Sequence, residues 1–337
     1  MGAQKEEEEA MKVIPYRDVL GRDISSPITS GGIERFIRHL RDELDDSCIV
    51  DVSKMYYDAP LAMADLVAEE SKRASHVICN YPNRYLNVNL PVTCPVVWVN
   101  HHTAGLHPEA PDIVRRMNEH VRIRGDQLWM VSRKQARDWV AYARLLGIEL
   151  EYHGIISPSM VKEAHPHSNT VRWEIATIGR CDDVKNPFLA HEVAREAKMS
   201  SLVLCSFMAN DYAIRNQDWY GLQETGWDLT DAQVAADLSH CGVFLVTWPD
   251  ETFGIAALEA LSHGLPLVLY SPKGDHACEE LIPNSHWIRK AKKVEDIVPA
   301  VREMLEITPN ERALLGAKAR ALHGINAWRD RLREMME

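Results

Sequence analysis

The sequence lacks the features of a membrane-spanning chain or of a disulfide-stabilised one. Within its 337 residues, no apolar run reaches the length that is needed to cross a bilayer. Residues 1–10 carry consecutive glutamates and no apolar core, so we expect a disordered acidic leader and not a secretory signal. The seven cysteines are scattered and form no C-x-x-C pair. This pattern favours a reducing cytoplasm over a zinc site or a disulfide framework.

An overall excess of basic residues is also missing, because the formal net charge is −11. This charge argues against a protein that coats nucleic acid. The charge is nevertheless uneven, and a local run of bases stands between residues 115 and 137. Such a run is typical of solvated helix faces, and the alternative is a docking surface for a polyanion. The residues proposed for that surface are Arg115, Arg116, Arg122, Arg124, Arg133 and Lys134.

The stretch Cys241–Tyr270 has the pattern of a strand, a loop, a helix and a second strand. The first strand is predicted at Val243–Trp248, the helix at Phe253–His263 and the second strand at Leu267–Tyr270. One βαβ unit of this kind indicates a parallel sheet. Ligands bind at the carboxyl ends of the strands in open parallel sheets, which is where the loop with Glu251 is expected.

The amino end of this helix is a candidate anion site. Its first residues, Phe253, Gly254 and Ile255, are expected to present backbone N–H groups that have no partner inside the helix. The glycine would let a ligand approach the backbone closely. A phosphate group is the kind of ligand that helix amino ends bind.

Two acids frame the stretch, with seven residues between Glu251 and Glu259. The helix around Glu259 is strongly apolar, and a buried carboxylate there would need a partner such as a pair of sugar hydroxyls. The alternative is that Glu259 shares a solvated stripe with Thr252 and His263. Spacing alone leaves both interpretations open.

Two segments of the first half of the chain carry candidate binding residues after predicted strands. Gly31 and Gly32 precede an amphipathic helix and suit either a phosphate or a plain turn. The pair His101 and His102 follows the strand at 95–100 and suits an active-site rim or a structural role. Because adjacent residues of a strand point in opposite directions, at most one histidine faces a cleft, and we favour His101.

Two cations, Arg180 and Lys185, follow the strand at 172–179. Cations at a strand end can hold a diphosphate and stabilise its charge as a bound group leaves, and the alternative is two surface cations. Further on, Trp227 is placed either to stack on a nucleotide base or to pack in the core.

The string E-T-F-G-I-A-A-L-E-A-L-S-H-G-L-P-L-V resembles the signature of retaining, family 4-like glycosyltransferases of the GT-B fold. The resemblance covers about residues 11–335 and is strongest between 178 and 270. It implies an α/β fold with two Rossmann-like domains that face each other across a cleft. The implied acceptor domain is 11–160, the linker 161–170 and the donor domain 171–310. The helical segment 311–337 can then return to the first domain, and Asn310–Met336 is expected to be one long helix.

The resemblance also implies roles for individual residues. Glu251 would act on the donor sugar, Glu259 would bind the nucleotide ribose, and the amides of Phe253–Ile255 would bind donor phosphate and sugar. His101, with His102 in reserve, would contact the donor sugar from the first domain.

The remaining implied roles concern the donor nucleotide. Gly31 and Gly32 would face its diphosphate, Arg180 and Lys185 would bind it, and Trp227 would lie beside the base. The donor is expected to be a UDP-sugar, and no cofactor is required. A D-x-D triplet is absent from the sequence, which disfavours the metal-dependent GT-A design, so no metal is expected.

A looser similarity links the chain to the T-even phage DNA α-glucosyltransferases. It rests on Gly31–Phe36, Val96–His102 and Ile178–Arg180 with Lys185. It implies duplex DNA with a hydroxymethylated pyrimidine as acceptor, reached by base flipping, and the host cytoplasm as location. The basic run would then contact phosphates. Alternatives are a transferase for lipids, saccharides or small metabolites, a sugar-nucleotide 2-epimerase, and a non-catalytic nucleotide-sugar-binding protein.

Overall fold

We describe the protein from a computed structural model. The structure describes residues 12–16, 32–44, 47–52, 58–80, 90–104, 109–158, 167–168, 170–208, 225–227 and 229–336. The expectations for the leader at 1–10 and for Gly31 lie outside these residues.

The chain divides into two compact units. Unit 1 consists mainly of Gly32–Val131 and Gln135–Ile156 together with the first strand, and unit 2 mainly of Ser157–Glu337. Each unit is built on its own parallel sheet, so the predicted pair of Rossmann-like α/β domains is confirmed.

Unit 1 alternates strands and helices along the chain. Its strands are β1 (Lys12–Tyr16), β2 (Ser47–Asp51), β3 (His76–Cys79), β4 (Val96–Asn100), β5 (Gln127–Met130) and β6 (Gly154–Ile155). Its helices are α1 (Gly32–Glu43), α2 (Pro60–Glu70), α3 (Ala110–Glu119), which continues into a π-helical turn (His120–Arg124), and α4 (Arg133–Leu145).

The sheet of unit 1 has the strand order β2-β1-β3-β4-β5-β6. Its central strand β4 is buried at every position, as expected for a strand that helices cover on both faces. The chain runs from β1 outward to β2 and then returns to the other side of β1 with β3. The topological switch point therefore lies between β1 and β3, beside the carboxyl end of β4.

A buried carboxylate holds the amino end of β4 in place. Asp126, which is 1% exposed, accepts hydrogen bonds from the backbone N–H of Val96 and from Nε1 of Trp98, each at 3.1 Å. Its second oxygen also lies 3.1 Å from Nδ1 of His120 in the π-helical turn. Because these three partners are buried, the network ties β4 and β5 to the end of α3.

Unit 2 repeats the alternation. Its strands are β7 (Trp173–Cys181), β8 (Ser201–Met208), β9 (Thr225–Trp227), β10 (Cys241–Val246), β11 (Leu267–Tyr270) and β12 (Ile288–Ala291). Its helices are α5 (Phe188–Ala197), α6 (Asp231–Ser239), α7 (Ile255–Ser262), α8 (Ile297–Leu305), α9 (Pro309–His323) and α10 (Ile325–Met336). Among the described helices of both units, none combines the length and the hydropathy of a bilayer-crossing segment.

The strand order in unit 2 is β12-β11-β10-β7-β8-β9. The predicted βαβ unit is confirmed, because β10 and β11 pair in parallel and α7 connects them. The chain leaves β7 toward β8 and β9 and returns on the other side of β7 with β10. The switch point of this sheet therefore lies between the carboxyl ends of β7 and β10.

The prediction of a single terminal helix is wrong. The segment forms two helices, α9 and α10, separated at Gly324. The backbone of Gly324 is extended (φ −64°, ψ 164°), which interrupts the helical hydrogen bonds at that residue.

Candidate functional site

A pocket lies at the switch point of unit 2. The ends of β7 and β10, the loops that follow them and the first turn of α7 line it. Strand ends hold such loops in place, so side chains that project from them have fixed positions. Lys185, from the loop after β7, and Glu251, from the loop after β10, both line this pocket.

These two side chains form an ion pair. Nζ of Lys185 lies 2.5 Å from Oε2 of Glu251, and the two side chains are 25% and 14% exposed. The residues stand far apart in sequence and meet because β7 and β10 are neighbours in the sheet. The pocket therefore contains a cation and a carboxylate in direct contact.

The backbone of Lys185 is held as firmly as its side chain. Its N–H donates to Oδ1 of Asp182 at 2.8 Å, and its carbonyl accepts from Oγ1 of Thr247 at 2.5 Å. Thr247 is the first residue after β10, so this bond joins the two loops. These hydrogen bonds fix the backbone of Lys185, and thus the point from which its side chain extends into the pocket.

The environment keeps Glu251 ionised. Burial opposes ionisation, but the Lys185 ammonium and its hydrogen bond outweigh it and lower the pKa of the Glu251 carboxyl. The carboxylate therefore remains an acceptor for hydroxyl groups at neutral pH.

The amino end of α7 completes the pocket. Gly254 precedes the helix with a left-handed backbone (φ 92°, ψ 62°), and the first helical bond runs from Leu258 N–H to its carbonyl. The N–H groups of Ile255–Ala257 come before that bond and have no partner within the helix. They carry the positive end of the helix dipole, which attracts anions.

Glu259 is buried within α7 at 6% exposure. The interpretation that it shares a solvated stripe with His263 is wrong, because His263 is also only 5% exposed. Glu259 lies on α7 and His263 directly follows it, and α7 packs against the sheet of unit 2. The role of Glu259 on a ribose stays a prediction.

The other residues predicted for the donor lie at strand ends or helix starts. Arg180, near the end of β7, is paired with Asp182 (Nε to Oδ2, 3.2 Å), and its side chain is 54% exposed. Trp227 is the last residue of β9, and Gly32 is the first residue of α1. Their predicted contacts with a nucleotide stay predictions.

The predicted histidines lie at the carboxyl end of β4 in unit 1. Nε2 of His101 is 3.1 Å from Oδ1 of Asn80, which follows β3, and the N–H of His102 donates to Oδ1 of Asn100. Burial, with a smaller effect of His102, lowers the pKa of His101 to about 3. His101 is therefore neutral at physiological pH and can act only as a neutral donor or acceptor.

The basic run at 115–137 has mixed surroundings. Arg124 donates to the carbonyls of Leu90 and Val92 at 3.2 and 2.9 Å, so its guanidinium serves the fold. Arg115 pairs with Asp112 one helical turn away, at 3.0 Å. The rest of the run is spread over three elements: Arg116 on α3, Arg122 exposed on the π-helical turn, and Arg133 and Lys134 at the start of α4. Arg133 is exposed, but Lys134 is buried at 8% exposure, which contradicts its predicted place on a docking surface.

The structure adds three residues that sequence reasoning did not single out. The ring of Trp248 lies 4.1 Å from Nζ of Lys185. Its carbonyl is 3.0 Å from Nε2 of His276, whose Nδ1 accepts from the N–H of Cys278. An aromatic residue directly after a buried strand and next to Glu251 was the available signal for Trp248. His276 and Cys278 carried no such signal. They follow β11, so nothing near them in the sequence linked them to the loops after β7 and β10.

One protein family and a set of solved structures resemble this chain. Residues 162–322, which lie in unit 2, match the model of the family described as Glycosyl transferases group 1. No curated protein matches the sequence.

Solved structures resemble the whole chain. HepE from Anabaena, in complex with UDP and glucose, gives a TM-score of 0.74 at 12% identity over 97% of this chain and 99% of HepE. Sucrose-phosphate synthase from Thermosynechococcus elongatus gives 0.74 at 12% identity over 97% and 98%. AviGT4, a glycosyltransferase involved in avilamycin A biosynthesis, gives 0.65 at 14% identity over 96% of each chain. At these identities the likeness shows the fold, which is that of GT-B glycosyltransferases.

Proposed function

We propose that this chain is a retaining glycosyltransferase that moves a sugar from a nucleotide diphosphate, preferably UDP, to an acceptor hydroxyl. One observation carries the proposal: the Lys185–Glu251 pair stands at the switch point of unit 2, beside the amino end of α7. A cation and free amides suit a diphosphate, and an ionised carboxylate beside them suits the hydroxyls of the attached sugar.

In this proposal, Lys185 and the amides at the start of α7 hold the donor diphosphate. They stabilise the charge that develops on it as its bond to the sugar breaks. Glu251 accepts hydrogen bonds from the sugar hydroxyls, Glu259 from the ribose hydroxyls, and Arg180 supplies a second cation.

The transfer step breaks the bond between the anomeric carbon and the phosphate oxygen. The acceptor oxygen bonds to the same face of that carbon, and the departing phosphate oxygen takes the acceptor proton. The anomeric configuration is thereby retained, and no protein side chain needs to act as a covalent nucleophile. In unit 1, we expect neutral His101 to donate to or accept from a sugar hydroxyl.

Support for a uridine nucleotide comes from HepE, whose structures are complexes with UDP and glucose and with UDP-glucose. For the acceptor, we propose duplex DNA that carries a hydroxymethylated pyrimidine. This part rests on the sequence similarity and on the exposed arginines of the basic run at 115–137. Arg115 and Arg122 are the residues to test for DNA contact, because the guanidinium of Arg124 already donates to two backbone carbonyls.

The test is to incubate the protein with radiolabelled UDP-glucose or UDP-N-acetylglucosamine and, in separate reactions, with hydroxymethylcytosine duplex, unmodified duplex, small saccharides or no acceptor. Label on the modified DNA and none on unmodified DNA is the expected result, and NMR of the released nucleoside should show the α-linkage of the donor. Transfer to small saccharides alone would overturn the DNA acceptor but keep the transferase. Epimerised free sugar, or binding without turnover, would overturn the transferase itself.

A further inference from the structure

The ammonium group of Lys185 is held from two sides in the pocket of unit 2. Glu251 accepts from it at 2.5 Å, and the centroid of the Trp248 ring lies 4.1 Å from Nζ. A cation at this distance from the face of an indole is attracted by the negative potential of the ring. Trp248 therefore contributes to the position of Lys185 without being a charged group.

The two contacts leave one N–H group of the ammonium for a third partner. An ammonium group has three N–H donors. One points to Oε2 of Glu251, the indole face attracts a second, and the remaining donor is available to a ligand oxygen. A lysine side chain has four flexible carbons, so without the indole the ammonium could rotate away about its pair with Glu251.

Trp248 is itself anchored by a buried residue. Nδ1 of His276 accepts from the N–H of Cys278 at 3.2 Å, so Nε2 carries the proton and donates to the Trp248 carbonyl at 3.0 Å. His276 is 1% exposed, and burial lowers its pKa, which keeps this arrangement in the neutral form. The loop after β11 thus fixes the backbone that carries the indole.

We propose that Trp248 is a positioning residue that aims the Lys185 ammonium at the diphosphate of the donor. The proposal rests on the proposed function. It predicts that changes at Trp248 affect ligands with a diphosphate and leave those without one unaffected.

The experiment compares the affinities of UDP and of uridine, by calorimetry for UDP and by ligand-observed NMR for uridine. Trp248→Leu should weaken UDP about tenfold, which is the strength of a partly desolvated cation–π contact. The affinity for uridine should not change, and Trp248→Phe should recover most of the loss for UDP. The control is Trp287→Leu, a buried tryptophan of unit 2 with Lys318 at 5.6 Å from its ring. It should leave both affinities unchanged.

A double-mutant cycle tests whether Trp248 acts through Lys185. In a Lys185→Met background, Trp248→Leu should cause no further loss of UDP affinity. If Trp248→Leu fails to fold, site-specific fluorinated tryptophans at position 248 keep the shape and weaken the ring face stepwise. UDP affinity should then fall with each added fluorine.

The outcomes separate this inference from the proposed function. A wild-type protein that binds no nucleoside diphosphate overturns both. A wild-type protein that binds UDP, with Trp248→Leu affecting uridine equally or neither ligand, overturns the role of Trp248 alone. Independent effects in the cycle, or affinity that does not respond to fluorination, also overturn it.

Discussion

The start of α7 offers a sharp test of the geometry, through the substitution Gly254→Ala. Gly254 has φ 92°, and an added Cβ would collide with Sγ of Cys278 from the loop after β11. Its other neighbours, Cγ of Glu251 and Cβ of Ala257, would lie at 3.4 and 3.5 Å, which is ordinary contact. Two separate losses of unfolding free energy are therefore expected, one from the left-handed backbone and one from the collision with the sulfur.

The magnitudes follow from these two causes. A left-handed backbone costs a residue with a Cβ about 1–2 kcal/mol. Overpacking against a buried atom adds about 1–3 kcal/mol. Gly254→Ala should therefore lower the free energy of unfolding by about 2–5 kcal/mol, which is a large part of a typical domain stability.

Gly274→Ala separates the two costs within the same unit. Gly274 has φ 81°, but the nearest atom to an added Cβ is Cε of Lys292 at 3.8 Å, so only the backbone cost applies. In a Cys278→Ala background, Gly254→Ala should likewise lose only about 1–2 kcal/mol, because the colliding sulfur is gone.

The assay is urea denaturation followed by circular dichroism for the four variants and the wild type. Equal losses for Gly254→Ala and Gly274→Ala, or no relief by Cys278→Ala, would refute the contact between α7 and the loop after β11. The loop after β11 would then place no constraint on the residue that precedes α7.

Three further predictions concern charge. Lys185→Ala should reduce turnover of the proposed transfer at least about tenfold, because a charge-stabilising donor is lost. The control is Lys273→Ala, which removes an ion pair with Asp250 whose lysine is 71% exposed, and it should change steady-state kinetics little. If the two variants reduced turnover equally, Lys185 would not belong to the site. Burial lowers the pKa of His276 below its usual 6.5. As the pH drops, the unfolded chain therefore binds a proton at this residue before the folded chain does, and the free energy of unfolding should fall below about pH 6.5. In urea titrations, His276→Gln should reduce the dependence of the unfolding free energy on pH. The same pH dependence in the variant and the wild type would contradict a buried, neutral His276. Asp126→Ala should cost about 3–5 kcal/mol of unfolding free energy, because it orphans buried donors, and a loss under 1 kcal/mol would contradict that network.

Much of the fold could be predicted because its signals are local. The buried strands are apolar runs in the sequence, and the turn residues between β10 and β11 indicated one βαβ unit. The positions of Glu251 and Lys185 at strand ends followed from the same pattern. The break at Gly324 escaped prediction, because a single glycine in a helical pattern is tolerated in many helices.

The contacts within the candidate site could not be predicted in the same way. Asn80 meets His101 because β3 and β4 are neighbours, and Trp248 meets Lys185 because β10 lies beside β7. Such contacts depend on strand order, which periodicity does not encode.

The sequence by itself determined the kind of fold and the residue types available at each strand end, because these depend on neighbours along the chain. The tertiary structure alone decided that Glu259 and His263 are buried and that His101 remains neutral. It also decided that Lys185 is held between a carboxylate and an indole. Burial and charge depend on which segments pack together in space, so these properties arise only when the sheet is assembled.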